Sequence, residues 1–171
     1  MITYQDLCNA YEQSTLKKIN KQKILIRVAN DFRNAIANDL NIENKFFNNN
    51  NLDEPYLFIT PITDRESANC TGIMDEDVQW DLDGNMYVEY TINLYLAPLS
   101  FDTDDTDKKI VHIFYKIYIK DNELLIQTDV FKDDELEIET VLRIPYSDYS
   151  KRELSRLVED YKQRVMDDIN S

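Results

Sequence analysis

The sequence predicts an α+β fold: helical segments first, then an antiparallel β-meander of four to five strands, then one C-terminal helix packed on the sheet. Three observations carry this. Four consecutive runs alternate apolar and polar residues with period two. Both ends carry apolar residues at helical spacing behind a capping box. Only 2 Gly and 4 Pro punctuate 171 residues, which favours long regular elements. Hydrophobic residues make up 43% of the chain and are spread along it, as expected for one domain spanning 1–171 with a sizeable core.

The first helical segment covers residues 3–40. Thr3 caps it, with Asp6 as the capping-box acid. Tyr4, Leu7, Cys8, Tyr11 and Thr15 follow helical spacing, and Leu25, Val28, Ala29, Phe32, Ile36 and Leu40 form a second stripe. One long helix and two helices broken near Asn20 both satisfy this pattern. Residues 41–53, with their Asn tract, read as a loop. Tyr56 to Ile62 reads as a short strand ending at Pro61. Thr63 to Asn85 is a long polar connection.

The meander occupies residues 86–144. Met86 to Leu96 places its apolar residues on even positions, and Ile110 to Lys120 places them on odd ones. Leu124 to Phe131 and Leu136 to Ile144 return to even positions. A two-residue turn at Asp121-Asn122 pairs Lys120 with Glu123, hence Ile119 with Leu124, Ile117 with Ile126 and Ile113 with Val130. A three-residue turn at Lys132 to Asp134 pairs Val130 with Leu136 and Leu124 with Leu142. Pro145 ends the last strand. Ser150 and Glu153 form a capping box, and Leu154, Leu157, Val158, Tyr161, Val165 and Ile169 form the stripe of a helix over 150–169.

The formal charge is -14, and it is segregated. Residues 1–52 carry a net +2, residues 53–107 a net -13, and residues 108–171 a net -3. Segregated charge points to an electrostatic face. In a meander, alternate connections share one end of the sheet. Asp102, Asp104, Asp105 and Asp107 are therefore expected beside Asp133, Asp134 and Glu135. Asp75, Glu76, Asp77, Asp81 and Asp83 are expected beside Asp121 and Glu123 at the opposite end. Strands of about 11 residues separate these two acidic poles by about 35 Å. Asp also favours turns for conformational reasons, so the poles have a purely structural explanation too. On the strands' second face, Tyr95, Phe114, Phe131 and Tyr118 form a candidate apolar interface.

Motifs for chemistry are sparse. Two glycines exclude a phosphate-cradling loop. One histidine, His112, excludes a two-histidine metal site, and the predicted pairing sets it near Phe131 and Tyr95. Two distant cysteines, Cys8 and Cys70, form no CxxC motif. Asp81-Leu82-Asp83-Gly84 is a fragment of a calcium loop, but Gln79 and Tyr90 stand where its first and last acids belong, so no metal is expected. No cofactor motif and no secretory signal are visible, and a cytoplasmic location is expected. The expected function is a non-enzymatic acidic binding protein that docks on a basic surface of a nucleic-acid-handling protein, imitating phosphate charge. Anti-CRISPR, anti-restriction and nuclease-immunity proteins use this logic, although no motif ties the chain to them. The alternatives are a small-molecule binder with an apolar cavity between sheet and C-terminal helix, and a general interaction module.

Overall fold

The computed structural model describes residues 1–49, 52–63, 72–96 and 109–171. It is an α+β fold of two helices on an antiparallel sheet. Helix α1 runs unbroken over Tyr4–Asp39, so the alternative of two helices is excluded. Thr3 starts it: its hydroxyl accepts from the Asp6 amide (3.2 Å), while the Asp6 carboxylate accepts from the Thr3 amide (2.8 Å). Asn41 stops it in the left-handed region (φ 55), and the Ile42 amide donates back to the Ala37 carbonyl. Only the second half packs, burying Leu25, Val28, Ala29, Phe32, Ile36 and Ala37.

Residues 41–53 contain secondary structure that the sequence reading missed. Strands β1 (Phe46–Asn49) and β2 (Leu52–Pro55) pair antiparallel as a small separate sheet. Their Asn- and Asp-rich sequence lacks hydrophobic alternation, the signal by which strands are recognised. Strand β3 (Leu57–Pro61) follows, buried along most of its length. Strand β4 (Gln79–Trp80) is a two-residue edge piece after a 3-10 turn at Asp75–Asp77. The meander comprises β5 (Met86–Leu96), β6 (Lys109–Lys120), β7 (Glu123–Lys132) and β8 (Glu135–Pro145). The main sheet is ordered β3-β5-β6-β7-β8, with β4 also on β5.

The β6–β7 register agrees with expectation near the turn: Lys120 faces Glu123, Ile119 faces Leu124 and Ile117 faces Ile126. The described ladder stops at Lys116 and Gln127, short of the expected Ile113–Val130 pair. Beyond it the Thr128 hydroxyl donates to the Phe114 carbonyl at 2.7 Å.

The β7–β8 register corrects the sequence reading. The turn has two residues, Asp133-Asp134, both at positive φ (49 and 65), so Lys132 faces Glu135 and Phe131, not Val130, faces Leu136. A two-residue turn of this hand matches strand twist, and Asp tolerates the left-handed region it demands. The register then shifts once more: Gln127 faces Thr140 but Ile126 faces Leu142, which leaves Val141 as the extra residue of a bulge. Leu124 accordingly faces Ile144, not Leu142.

Helix α2 (Lys151–Asn170) starts at Ser150, whose hydroxyl and amide both donate to the Glu153 carboxylate. Its Leu157, Val158, Tyr161 and Val165 close the core against the sheet and α1. At the centre, the Phe32 ring meets Tyr115 edge-on at 5.0 Å and Tyr161 at 6.4 Å, and Tyr90 lies 6.3 Å from Tyr115. The hydroxyls of Tyr90, Tyr115 and Tyr161 are buried without a hydrogen-bond partner among the described residues. Burial raises the pKa of all three, which keeps them neutral. No helix among the described residues is long and apolar enough to cross a membrane.

Candidate functional site

The acidic ends are built from turn residues. Asp121 and Asn122 (φ 50 and 65) make the β6–β7 turn with the same left-handed conformation as Asp133-Asp134. Backbone geometry is therefore sufficient reason for a short polar residue at Asp121, Asp133 and Asp134.

At the end expected to hold seven carboxylates around Asp121, several are committed to internal partners. Asp77 is 4% exposed and accepts from the Met74 amide at 2.8 Å. Asp81 accepts from the amides of Asp83 (2.9 Å) and Asn85 (2.8 Å) and from the Asn85 side chain (2.9 Å). The Asn85 side-chain bond and these amides hold the Asp81 carboxyl below its ordinary pKa. Those bonds close the β4–β5 turn on itself, and among the described residues no cluster suited to a metal is found. Glu123 receives both Nε and Nη2 of Arg143, at 2.8 and 2.7 Å. Asp83 and Asp121 stay exposed at this end of the sheet. Asp75 and Glu76 lie back along α1, where the Gln22 side chain donates to the Asp75 carbonyl.

At the other end, Asp102, Asp104, Asp105 and Asp107 lie outside the described residues. Asp133, Asp134 and Glu135 form the tip of the β7–β8 hairpin. The Val141 bulge gives that hairpin two unlike faces. Phe131, Leu136 and Ile138 share one face and are 78%, 57% and 68% exposed. Glu135, Glu137 and Glu139 take the opposite face, where Lys132 meets Glu137 at 3.5 Å and Arg164 of α2 meets Glu139 at 3.4 Å. Between Asp129 and Glu139 there are six carboxylates and one lysine. Burial, then repulsion from Glu89, raises the pKa of Asp129 at the root of the hairpin.

The expected apolar interface is therefore redrawn. Tyr95 is half-buried, its ring 5.6 Å from Phe58 and its hydroxyl donating to Glu54. Tyr118 and Tyr87 flank Lys116, whose ammonium lies 5.8 and 4.2 Å from their ring centres and 3.1 Å from Glu89. Phe114 is half-buried. Only Phe131 stands well out of the sheet, and its neighbours are Leu136 and Ile138, which parity had assigned to the core. The alternation of Glu135, Glu137 and Glu139 with these apolar residues was the signal for them. His112 sits beside Asn93: its Nδ1 meets the Asn93 side-chain oxygen, and the Asn93 side-chain amide donates to Thr60 at 3.0 Å.

A second feature is an apolar cleft of about 430 Å³ where the ends of α1 and β5 meet α2. Leu40, Ile42, Leu94, Leu96, Val165 and Ile169 line it, with Tyr56, Tyr161 and Met166. Lys162 stands at its rim, tied to Asp39 at 2.9 Å and Glu159 at 2.7 Å. No family model, curated protein or solved structure matches this chain.

Proposed function

We propose that the protein is a non-enzymatic binding protein that docks through its β7–β8 hairpin on a basic surface of a nucleic-acid-handling protein. One observation carries the reading: the hairpin sets three exposed apolar side chains, Phe131, Leu136 and Ile138, on one face, with Asp133 and Asp134 at its tip, Asp129 at its root and Glu135, Glu137 and Glu139 along its other face. Interfaces combine such an apolar centre, which supplies affinity, with a charged rim, which supplies steering and selectivity. A partner with a cationic groove suits that rim. The experiment is capture of partners on the immobilised protein with elution by a salt gradient. It is repeated with Asp133→Lys/Asp134→Lys and with Phe131→Thr/Ile138→Thr. The reading expects a basic partner that elutes at modest salt and is lost with either variant. Capture that ignores salt and survives both variants overturns it.

The cleft supports a second reading, a site for a small apolar ligand. Its volume lies in the usual range for ligand pockets, and its lining is almost wholly hydrophobic. A panel of fatty acids and aromatic ligands tests this by thermal shift. Val165→Trp, which fills the cleft, should abolish any shift, and no shift across the panel removes the reading.

A further inference from the structure

Strand β8 forms one edge of the main sheet, and only β7 pairs with it. Among the described residues, no backbone group of another element bonds to residues 135–140, and all of these residues are exposed. The hairpin fixes which of their backbone groups face outward. A two-residue turn closes on a pair that exchanges both backbone hydrogen bonds, here Lys132 and Glu135. Bonded and unbonded pairs then alternate. Glu137 and Glu139 therefore also turn their backbone toward β7, whereas Leu136, Ile138 and Thr140 turn theirs away. Sheet edges are commonly protected by Lys, Pro or a bulge. Residues 135–140 contain neither Lys nor Pro, and the Val141 bulge lies beyond them.

We propose that this edge accepts an extended basic segment of the partner as an added antiparallel strand, which rests on the reading of the hairpin as the docking element. Backbone and side chains select the occupant together. Leu136, Ile138 and Thr140 supply the outward N–H and C=O groups to which such a strand bonds. Residues opposite Leu136 and Ile138 join the face of Phe131 and should be apolar. Residues opposite Glu135, Glu137 and Glu139 lie on the other face, in the closer unbonded pairs with Cβ atoms about 5 Å apart, and should be Lys or Arg. The occupant therefore alternates basic and apolar residues. The present ion pairs of these carboxylates are loose. Lys132 to Glu137 spans 3.5 Å and Arg164 to Glu139 spans 3.4 Å, with the glutamate side chains 53% and 44% exposed. Arg164 is held more closely by Asp160, at 2.7 Å. Exposed pairs of this kind contribute little to stability.

Charge also rejects a second copy as the occupant. Backbone pairing between two β8 edges requires outward-facing residues to stand opposite one another. Where residues 135–140 of two copies overlap by more than one residue, every such antiparallel register sets glutamate against glutamate. Like charges directly opposite one another destabilise a sheet, whereas a basic strand meets the opposite condition.

The probe is a short acetylated and amidated peptide, Lys-Val-Lys-Val-Lys-Thr-Lys, titrated into the isotope-labelled full chain. Binding should slow amide hydrogen exchange at Leu136, Ile138 and Thr140 and leave Glu135, Glu137 and Glu139 unchanged. N-methylation of the peptide's Val and Thr residues removes donors aimed at β8 and should weaken binding about tenfold or more. N-methylation of its Lys residues, whose N–H groups face away, should change binding by no more than about twofold. Glu135→Lys/Glu137→Lys in the protein should abolish binding of the parent peptide. Equal binding by all three peptides without amide protection overturns strand addition and leaves docking through side chains standing. A parent peptide that does not bind also overturns strand addition, while the salt-gradient capture decides the docking reading separately. Protection of the same amides on raising the protein concentration alone assigns the edge to a second copy and overturns the proposal.

Discussion

Replacing Phe131 and Ile138 together by Thr separates a face made for folding from one left to solvent. Phe131 is 78% exposed, so only about a fifth of its side chain is withdrawn from water. For an aromatic of roughly 200 Å² that is about 45 Å², or about 1 kcal/mol at ~25 cal/mol per Å². Ile138 is 68% exposed and smaller, and contributes a similar amount or less. Threonine retains β-branching, so strand propensity changes little. The double substitution should therefore cost no more than about 2 kcal/mol in urea unfolding, with an unchanged m-value. Ile126→Ala is the control: Ile126 is wholly buried opposite Leu142, and its truncation should cost about 2–5 kcal/mol. A loss of 4 kcal/mol or more in the double variant, roughly what a core truncation gives, would show that these side chains support the fold and would refute their assignment to a partner.

Further outcomes follow from the core and the turns. Tyr115→Phe removes a buried hydroxyl with no partner and should leave stability unchanged or raise it by about 1 kcal/mol, whereas a clear loss by urea unfolding would show that the hydroxyl is satisfied. Asp134→Gly relieves a side chain held at φ 65 and should raise the melting temperature, while Asp134→Val should lower it. The Asp81 carboxyl is held below its ordinary pKa, so its contribution is present above about pH 4 and fades as pH falls through the folded value. Asp81→Ala should therefore lower the melting temperature at pH 7, and the gap from wild type should shrink in acid. Ser150→Ala removes the α2 cap and should cost about 1 kcal/mol by the same unfolding assay.

Much of the architecture was legible in side-chain alternation. Met86 to Leu96 and Ile110 to Lys120 announce their strands, and Asp121-Asn122 announces the turn that sets Lys120 against Glu123. The misreading began at Asp133-Asp134, where a turn one residue shorter than expected shifts every pair near it. The Val141 bulge shifts the register again, which is why Leu142 and Ile144 face the core as expected while Leu136 and Ile138 do not. Counting even positions from Leu136 to Ile144 assumes an uninterrupted strand, and an inserted residue is invisible to that count. The acids were equally ambiguous. Asp77, Asp81 and Glu123 differ from Asp83 only in what lies beside them in space, and the one-dimensional pattern does not carry that. The cleft joins Leu40, Leu94 and Ile169 from three distant segments, so no local motif announces it.

The Val141 bulge also divides the burden of selection along a single strand. On one side Leu142 is held in place by the core, and its replacement is penalised through folding. On the other side, residues 131–140 are all exposed and can change identity at little thermodynamic cost. Such a segment tolerates substitution far faster than the sheet that carries it. Substitutions at the hairpin tip therefore leave the contacts that hold the scaffold together untouched.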